Sequence, residues 1–185
     1  MRVITGSARG RVLKELQGME TRPTTGKVKE SIFSIIQFDI EGRRVLDLFA
    51  GTGQLGIEAL SRGAASCVFC DQRRDAVQLI RENLAVCGLT EHAAVRQGDA
   101  MAYLRSGEKF DIVFLDPPYA LAALESLGMV ASLAKAGALA NDAIVVYEHA
   151  LSTNADADEA ELSCGFALSS RKKYGETAID ILRLG

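Results

Sequence analysis

A glycine-rich stretch that follows a short apolar segment is the part of this sequence best suited to chemistry. Val45-Leu46-Asp47-Leu48-Phe49-Ala50 is typical of a buried strand with one acidic residue, and Gly51-Thr52-Gly53-Gln54-Leu55-Gly56 comes directly after it. A helical pattern then begins at Leu55. Glycines let the backbone approach a ligand closely, and the start of a helix presents N–H groups that no carbonyl of the helix accepts. The order G-x-G-x-x-G favours a nucleotide-like cofactor but is too common to identify it.

Acidic residues stand at the ends of four successive predicted strands. These residues are Asp47, Asp71, Asp99 and Asp116. Ligands of open parallel sheets bind outside the carboxyl ends of the strands, so the four carboxylates are predicted to share one edge and one ligand site. Each alone is equally typical of a helix cap or a loop. Four acidic residues at the ends of four successive strands favour a binding site.

Hydrogen-bond chemistry narrows the choice of cofactor. Asp71 is placed to accept from ribose hydroxyls, and Asp99 from an adenine amine. Asp47, beside the glycine turn, would orient that turn or face a cationic group, and it would repel a pyrophosphate. S-adenosylmethionine, which carries an ammonium and a sulfonium, therefore fits the site better than NAD or FAD, which remain the alternative.

The rest of the chain alternates strands and helices. Strands are predicted at 44–49, 65–71, 93–97, 110–115 and 143–149, and helices at 54–62, 74–87, 100–105 and 121–135. Residues 150–161 are polar and acidic and are predicted to form a solvated loop, and 166–172 and 177–184 an antiparallel hairpin. This pattern predicts an α/β fold with a mostly parallel seven-stranded sheet, an antiparallel C-terminal hairpin and helices on both faces.

The first 41 residues differ from the remainder in charge. Residues 1–29 hold seven basic and two acidic side chains, a net charge of +5 in a chain whose total is −3. A short hairpin or extended arm is predicted there, then a helix capped by Thr24 or Thr25, with Val28, Ile32, Ile35 and Ile36 on its packed face. We expect residues 1–41 to form an RNA-contacting extension and residues 42–185 the catalytic domain. The candidate phosphate contacts are Arg9, Arg11, Arg22 and Lys29.

Composition excludes several classes of protein. The 185 residues are 48% hydrophobic and 24% charged, as in ordinary globular domains, and no apolar run approaches a membrane span of ~20 residues. We expect a cytoplasmic protein, a monomer, without membrane contact. Cys67 and Cys70 lie three positions apart on a predicted strand, so their side chains face opposite sides, and no metal site is expected.

Several motifs together resemble one enzyme family. Asp116-Pro117-Pro118-Tyr119 is similar to the amino-methylating branch of the class I S-adenosylmethionine-dependent methyltransferases, which have a Rossmann-like fold. The segments Gly6-Ser7-Ala8-Arg9-Gly10-Arg11-Val12-Leu13, Thr21-Arg22-Pro23-Thr24-Thr25, Val28-Lys29-Glu30-Ser31-Ile32-Phe33 and Leu46-Asp47-Leu48-Phe49-Ala50-Gly51-Thr52-Gly53 resemble the RsmD family. The resemblance implies methylation of a guanine N2 in small-subunit (16S) ribosomal RNA, with the RNA or the ribosomal particle as partner. The candidate cofactor-binding residues are Asp47, Phe49, Gly51, Gly53, Leu55, Asp71, Gln72, Asp99 and Ala100.

The resemblance also implies roles for Asp116, Pro117, Pro118 and Tyr119 as catalytic residues. An exocyclic base amine is a poor nucleophile because its lone pair is delocalised into the ring. The carboxylate of Asp116 and the carbonyl of Pro117 would accept its two N–H groups and expose the lone pair, with the prolines stiffening the turn. Tyr119 would stack on a base that has been flipped out or is unpaired.

Three other functions remain compatible with some of these features. A DNA amino-methyltransferase acting on adenine N6 or cytosine N4 shares the chemistry but usually has a large target-reading domain, for which this chain has no room. A nicotinamide oxidoreductase is consistent with the glycines but leaves Asp-Pro-Pro-Tyr unexplained. A non-catalytic RNA-binding module accounts for the basic arm but not for the row of carboxylates.

Overall fold

The computed structural model describes residues 1–16, 26–98 and 108–185. The described strands form the mostly parallel seven-stranded sheet that the sequence predicted. The chain divides into two compact units, Met1–Tyr103 and Leu104–Gly185. The predicted functional division at residue 41, with residues 1–41 assigned to RNA contact, stays a prediction.

The first unit holds the glycine turn. Its elements are α1 (Gly26–Ile35), β1 (Arg44–Asp47), α2 (Gln54–Ser61), β2 (Ser66–Asp71), α3 (Arg74–Cys87) and β3 (Ala93–Gln97). The three strands pair in parallel, with β1 beside β2 and β2 beside β3. Every residue of α2 is buried, and α3 ends at Gly88. The bounds of β1, α2, β2, α3 and β3 match the predicted ones to within two residues at each end. The caps predicted for α1, Thr24 and Thr25, lie outside the described residues.

Residues 1–16, which we call the N-terminal arm, contain little regular structure. The hairpin expected there is reduced to a single antiparallel bridge between Arg2 and Val12. Val3, Ala8 and Leu13 are nevertheless buried, so the arm packs on the body of its unit.

The second unit holds the Asp-Pro-Pro-Tyr segment. Its elements are β4 (Phe110–Leu115), α4 (Ala123–Lys135), β5 (Leu139–Ala150), α5 (Asn154–Cys164), β6 (Phe166–Tyr174) and β7 (Thr177–Leu184). Strands β4 and β5 are parallel, and β5 begins at Leu139 rather than at 143 because Leu139 already pairs with Phe110. Strand β7 pairs antiparallel with both β5 and β6. The antiparallel C-terminal hairpin is therefore confirmed.

One element of the second unit was predicted wrongly. Residues 150–161 were expected to be a solvated loop, but most of them belong to α5. The helix is rich in alanine and glutamate, which favour helix formation, and it buries Ala157 and Ala160 while packing on α4. Its apolar stripe is too narrow to recognise from hydrophobic spacing. The helix predicted at 100–105 lies outside the described residues.

Candidate active site

The glycine turn adopts a conformation suited to a ligand contact. Gly51 and Gly53 have φ angles of 53° and 78°, a left-handed region that favours glycine. Gly53 is also the N-cap residue of α2, and as a glycine it has no side chain with which to cap the helix. The first turn of α2 therefore lies directly at the glycine turn, and the N–H of its third residue, Gly56, is accepted by the side chain of Asp47.

Gly56 serves packing rather than ligand contact. A Cβ atom at this position would lie 2.3 Å from Phe69 Cε1 and 2.7 Å from Cys67 Sγ, so helix α2 can approach β2 only because the residue is glycine. The third glycine of the G-x-G-x-x-G pattern thus sets the distance between helix and strand. Leu55 is likewise buried in the core, 5% exposed, which leaves its backbone as its possible contribution to a cofactor site.

The buried side chain of Asp47 stabilises the glycine turn by a hydrogen bond. Its side chain is only 2% exposed, and its Oδ2 accepts the Gly56 N–H at 3.1 Å. This hydrogen bond matches the first role predicted for Asp47, which is to orient the glycine turn. The second role, facing a cationic group of the cofactor, stays a prediction. Phe49, two residues further along, is half-buried.

Asp71 lies at the end of β2 and supports the same turn. Its Oδ2 accepts the Gly51 N–H at 2.9 Å, and its Oδ1 accepts the Arg73 N–H at 2.9 Å. A carboxylate has about four lone-pair sites, so these two bonds leave capacity for hydroxyl donors. Asp71 is half-buried and Gln72 is exposed. Asp99, Ala100 and Arg22 lie outside the described residues.

The Asp-Pro-Pro-Tyr segment follows β4 in the second unit. Asp116 is half-buried, Pro117 is buried, and Tyr119 is 52% exposed. The Pro118 carbonyl accepts the Leu121 N–H at 2.8 Å, and the Tyr119 and Thr177 hydroxyls lie 3.2 Å apart. Hydrogen bonds of the Pro118 carbonyl and of the Tyr119 hydroxyl therefore fix the conformation of the segment.

A cavity of about 310 Å³ adjoins this segment. Pro117, Pro118 and Tyr119 line one side of it, and the end of β5 and residues of α5, among them Asp156 and Glu159, line the other. Tyr119 thus presents a half-exposed ring to a concavity large enough for a planar aromatic ligand. The sequence did not predict this cavity, because four of its lining residues, Asp156, Glu159, Ala160 and Ser163, come from α5, which the sequence did not predict.

A network of buried charges lies beside the cavity. Asp180, fully buried on β7, accepts from His149 Nε2 at 2.7 Å and from Arg171 Nε and Nη2, each at 2.6 Å. Arg171 also reaches Asp158 at 2.8 Å and Glu161 at 3.4 Å. The guanidinium of Arg171 is therefore committed to ion pairs within the second unit.

The two acids of this network have opposite pKa shifts. Burial, helped by a hydrogen bond with Asp180, raises the pKa of Glu161 from 4.5 to about 8. Burial also raises the pKa of Asp180, but donation from Arg171 and His149 outweighs it and lowers that pKa to about 2. Glu161 therefore holds a proton at neutral pH while Asp180 is ionised.

Glu161→Gln is expected to flatten the pH dependence of the free energy of unfolding. The folded protein keeps a proton on Glu161 up to about pH 8, whereas the unfolded chain releases it near 4.5. The stabilisation is thus complete below the unfolded pKa and is lost as pH rises through the folded one. Urea unfolding between about pH 5 and pH 8.5 should show this decline in the wild type and in the control Glu159→Gln on the same helix, but not in Glu161→Gln. An equal decline in both variants contradicts the assignment.

The basic residues predicted to contact RNA divide into two groups. Arg9 and Arg11 are exposed at the loop of the N-terminal arm. Lys29 is 2% exposed, and its Nζ donates to the Arg2 carbonyl at 2.7 Å and lies 3.2 Å from Glu58 Oε2. Burial lowers the pKa of Lys29, and pairing with Glu58 opposes that shift. The prediction that Lys29 contacts phosphates is therefore wrong, since its ammonium is committed inside the protein.

Sequence reasoning also missed two buried polar residues that connect the arm to the body. The Glu58 carboxylate accepts the N–H groups of Ile4 and Thr5 at 2.8 and 2.9 Å. The Asn83 amide bonds to the backbone of Lys14 and of Thr52. Glu58 had a signal in the sequence, because it is the one acid in the apolar run Leu55-Gly56-Ile57-Glu58-Ala59-Leu60.

Comparison with known proteins places the chain in a family. A family model described as "Conserved hypothetical protein 95", the RsmD family, matches residues 1–183. The chain belongs to this family. It is 41% identical over 187 residues to a Bacillus subtilis (strain 168) protein named "Putative rRNA methyltransferase YlbH", covering 99% of this chain and 98% of that protein. It is 37% identical to the Escherichia coli (strain K12) "Ribosomal RNA small subunit methyltransferase D", over 80% of this chain and 74% of that one.

A solved structure agrees with these relatives. An Escherichia coli protein titled "Putative methyltransferase yhhF" superposes with a TM-score of 0.82 at 29% identity, covering 100% of this chain and 98% of that one. The family and the methyltransferase fold expected from the sequence are thus confirmed, and the comparisons support S-adenosylmethionine as the cofactor of this RsmD-family chain.

The described residues also show whether a membrane-spanning helix or a metal site is present among them. None of the helices among them has the length and apolar character that crossing a bilayer requires. In the same residues, no group of three or more histidine, cysteine, aspartate or glutamate side chains is arranged to hold a metal ion. The thiols of Cys67 and Cys70 are both buried.

Proposed function

We propose that this protein transfers a methyl group from S-adenosylmethionine to the exocyclic N2 amine of a guanine in small-subunit ribosomal RNA. The observation that carries the proposal is the occurrence in one chain of a cofactor turn and of a rigid Asp-Pro-Pro-Tyr segment beside a cavity. The family relationship to ribosomal RNA methyltransferases supports the substrate class.

The residues of the first unit fit this cofactor. Gly51, Gly53 and the start of α2 allow a ligand to approach the backbone, and Asp71 retains acceptor capacity for ribose hydroxyls. Asp47 keeps the turn in shape through Gly56. When bound, S-adenosylmethionine supplies an electrophilic methyl group on its sulfonium.

The residues of the second unit fit an amine on a planar base. The Asp116 carboxylate and the Pro117 carbonyl accept the two N–H groups of the amine, which exposes its lone pair. The ring of Tyr119 stacks on the base, which occupies the cavity that this ring lines. Asp116, or a water molecule, accepts the proton that the amine loses after methyl transfer. Positioning of the reactants accounts for most of the rate enhancement.

Asp71→Ala is expected to weaken the binding of S-adenosylhomocysteine by about 1–3 kcal/mol. The ribose hydroxyls lose their acceptor, and the Gly51 N–H loses its support. Isothermal calorimetry measures this loss, with Asp75→Ala as the control, since Asp75 is an exposed carboxylate near the start of α3 that pairs with Arg73. Tight binding of NAD by the wild type, with no response to S-adenosylhomocysteine, would exclude the proposed cofactor.

Arg9→Gln combined with Arg11→Gln is expected to weaken RNA binding and to flatten its salt dependence. Each phosphate that an arginine neutralises releases condensed counterions, so the slope of log K against log salt should fall by about 1 for each phosphate that is no longer neutralised. A filter-binding series with small-subunit ribosomal RNA at several salt concentrations measures both effects. Arg96→Gln, on β3 outside the arm, serves as the control variant. Unchanged affinity and slope in the double variant would show that the arm does not contact RNA.

A further inference from the structure

The side chain of Asn83 joins the N-terminal arm to the cofactor turn. Asn83 lies on α3 and is 0% exposed. Its Oδ1 accepts the Lys14 N–H at 2.8 Å, and its Nδ2 donates to the Lys14 carbonyl at 3.2 Å. The same Nδ2 donates to the Thr52 carbonyl at 2.9 Å. The side-chain amide of Asn83 therefore hydrogen-bonds to the backbone of the arm and to the backbone of the turn at the same time.

The Thr52–Gly53 peptide group is held at both ends. Its carbonyl accepts from Asn83, and its N–H, that of Gly53, donates to the Ala50 carbonyl at 2.6 Å. Since Gly53 is the N-cap residue of α2, the orientation of this peptide affects how the turn meets the helix start. A turn that rotated the Thr52 carbonyl away would leave a buried amide N–H of Asn83 without that acceptor, which is unfavourable.

The arm has further contacts with the same part of the molecule. The Thr52 hydroxyl lies 3.5 Å from Met1 Sδ, a second link between the turn and the arm. Ser61, on the helix that begins at the turn, accepts the Ala8 N–H at 3.0 Å and donates to the Thr5 carbonyl at 2.6 Å. The arm therefore contacts both ends of the segment that runs from the turn through α2.

We propose that Asn83 is a positioning residue that couples the state of the N-terminal arm to cofactor affinity. The coupling to RNA rests on the proposed function, in which Arg9 and Arg11 of the arm contact RNA. RNA bound to the arm holds Lys14 in place, and Asn83 then holds the turn in its binding shape. Because such coupling is reciprocal, cofactor raises RNA affinity by the same factor.

The test compares three proteins by calorimetry with S-adenosylhomocysteine, with and without small-subunit ribosomal RNA. For the wild type we expect RNA to tighten cofactor binding about 5-fold or more. Asn83→Asp replaces the donor by a carboxylate facing two carbonyls; it should bind cofactor about 10-fold more weakly and show no response to RNA. Its RNA affinity without cofactor should match the wild type. Glu82→Gln is the matched control. Glu82 lies on the same helix as Asn83, and its carboxylate pairs with the Lys14 ammonium at 2.7 Å rather than with the turn.

Each outcome bears on one claim. Asn83→Asp with unchanged cofactor affinity and an unchanged RNA response overturns the coupling, and so does a wild type without any RNA response. A wild type that does not bind S-adenosylhomocysteine contradicts the proposed function instead. If circular dichroism shows that Asn83→Asp does not fold, Lys14→Pro is the second variant. It lies at an exposed position and removes the backbone N–H that donates to Asn83 Oδ1. Because it also removes the lysine ammonium, Glu82→Gln, which removes the partner of that ammonium, is its control. Lys14→Pro should show the same loss of response, and an intact response there overturns the inference.

Discussion

Asp116→Ala is expected to lower kcat for methyl transfer by about 10²–10⁴-fold while leaving cofactor affinity within about twofold of the wild type. The carboxylate is assigned to the base amine, so its removal deprives the transition state of an acceptor, while the glycine turn keeps its hydrogen bonds to Asp71 and Asp47. Single-turnover transfer of labelled methyl groups to small-subunit ribosomal RNA measures the first quantity, and calorimetry the second. A near-normal rate in Asp116→Ala would contradict the acceptor role.

Tyr119 provides a comparison for that result. Tyr119→Ala should reduce activity through loss of base stacking, worth about 1–3 kcal/mol. Tyr119→Phe keeps the ring and removes only the hydroxyl that lies beside the Thr177 hydroxyl, so it should retain most activity. Equal losses in both variants would assign the effect to the hydroxyl rather than to stacking.

Glu58→Ala is expected to lower the free energy of unfolding by about 3–5 kcal/mol. Glu58 is 0% exposed and serves two backbone N–H groups of the arm, the ammonium of Lys29 and the guanidinium of Arg62. Its removal leaves the charge of Lys29 buried without this partner. Urea denaturation followed by circular dichroism measures the loss.

The matched control is Glu82→Ala. Glu82 also pairs with a lysine, Lys14 of the arm, at 2.7 Å, but the lysine is exposed and Glu82 is partly exposed. Solvent-accessible ion pairs contribute little to stability, so this variant should be close to the wild type. If the two variants lose equal stability, or if Glu58→Ala loses less than about 1 kcal/mol, the buried network does not hold the arm.

The position of the glycine turn followed from the sequence because local chemistry determines it. A strand, three glycines and a helix pattern occur within twelve residues, and positive φ at Gly51 and Gly53 is what glycine at those positions predicts. The Asp-Pro-Pro-Tyr segment is local in the same way. The structure adds that Gly56 is required for packing, which the spelling of the motif did not distinguish from ligand contact.

The misassigned residues depend on contacts distant in sequence. Lys29 was counted with the basic surface, yet it lies seven residues from Ile36 and so shares the packed face of the helix pattern. Its partner Glu58 is far along the chain, and nothing local to Lys29 reveals the pair. Helix α5 was missed because two alanines make its buried contacts, and the cavity beside Tyr119 was missed with it.

The most direct test of the proposed reaction is identification of the methylated base. Small-subunit ribosomal RNA or particles from a strain lacking the gene would be incubated with the protein and S-adenosylmethionine, digested to nucleosides and analysed by mass spectrometry, with duplex DNA treated in parallel. We predict N2-methylguanosine in the RNA, none with Asp116→Ala, and no methylated base in the DNA. Methyladenine or methylcytosine in the DNA at a comparable rate, or an RNA product other than N2-methylguanosine, would contradict the proposed reaction.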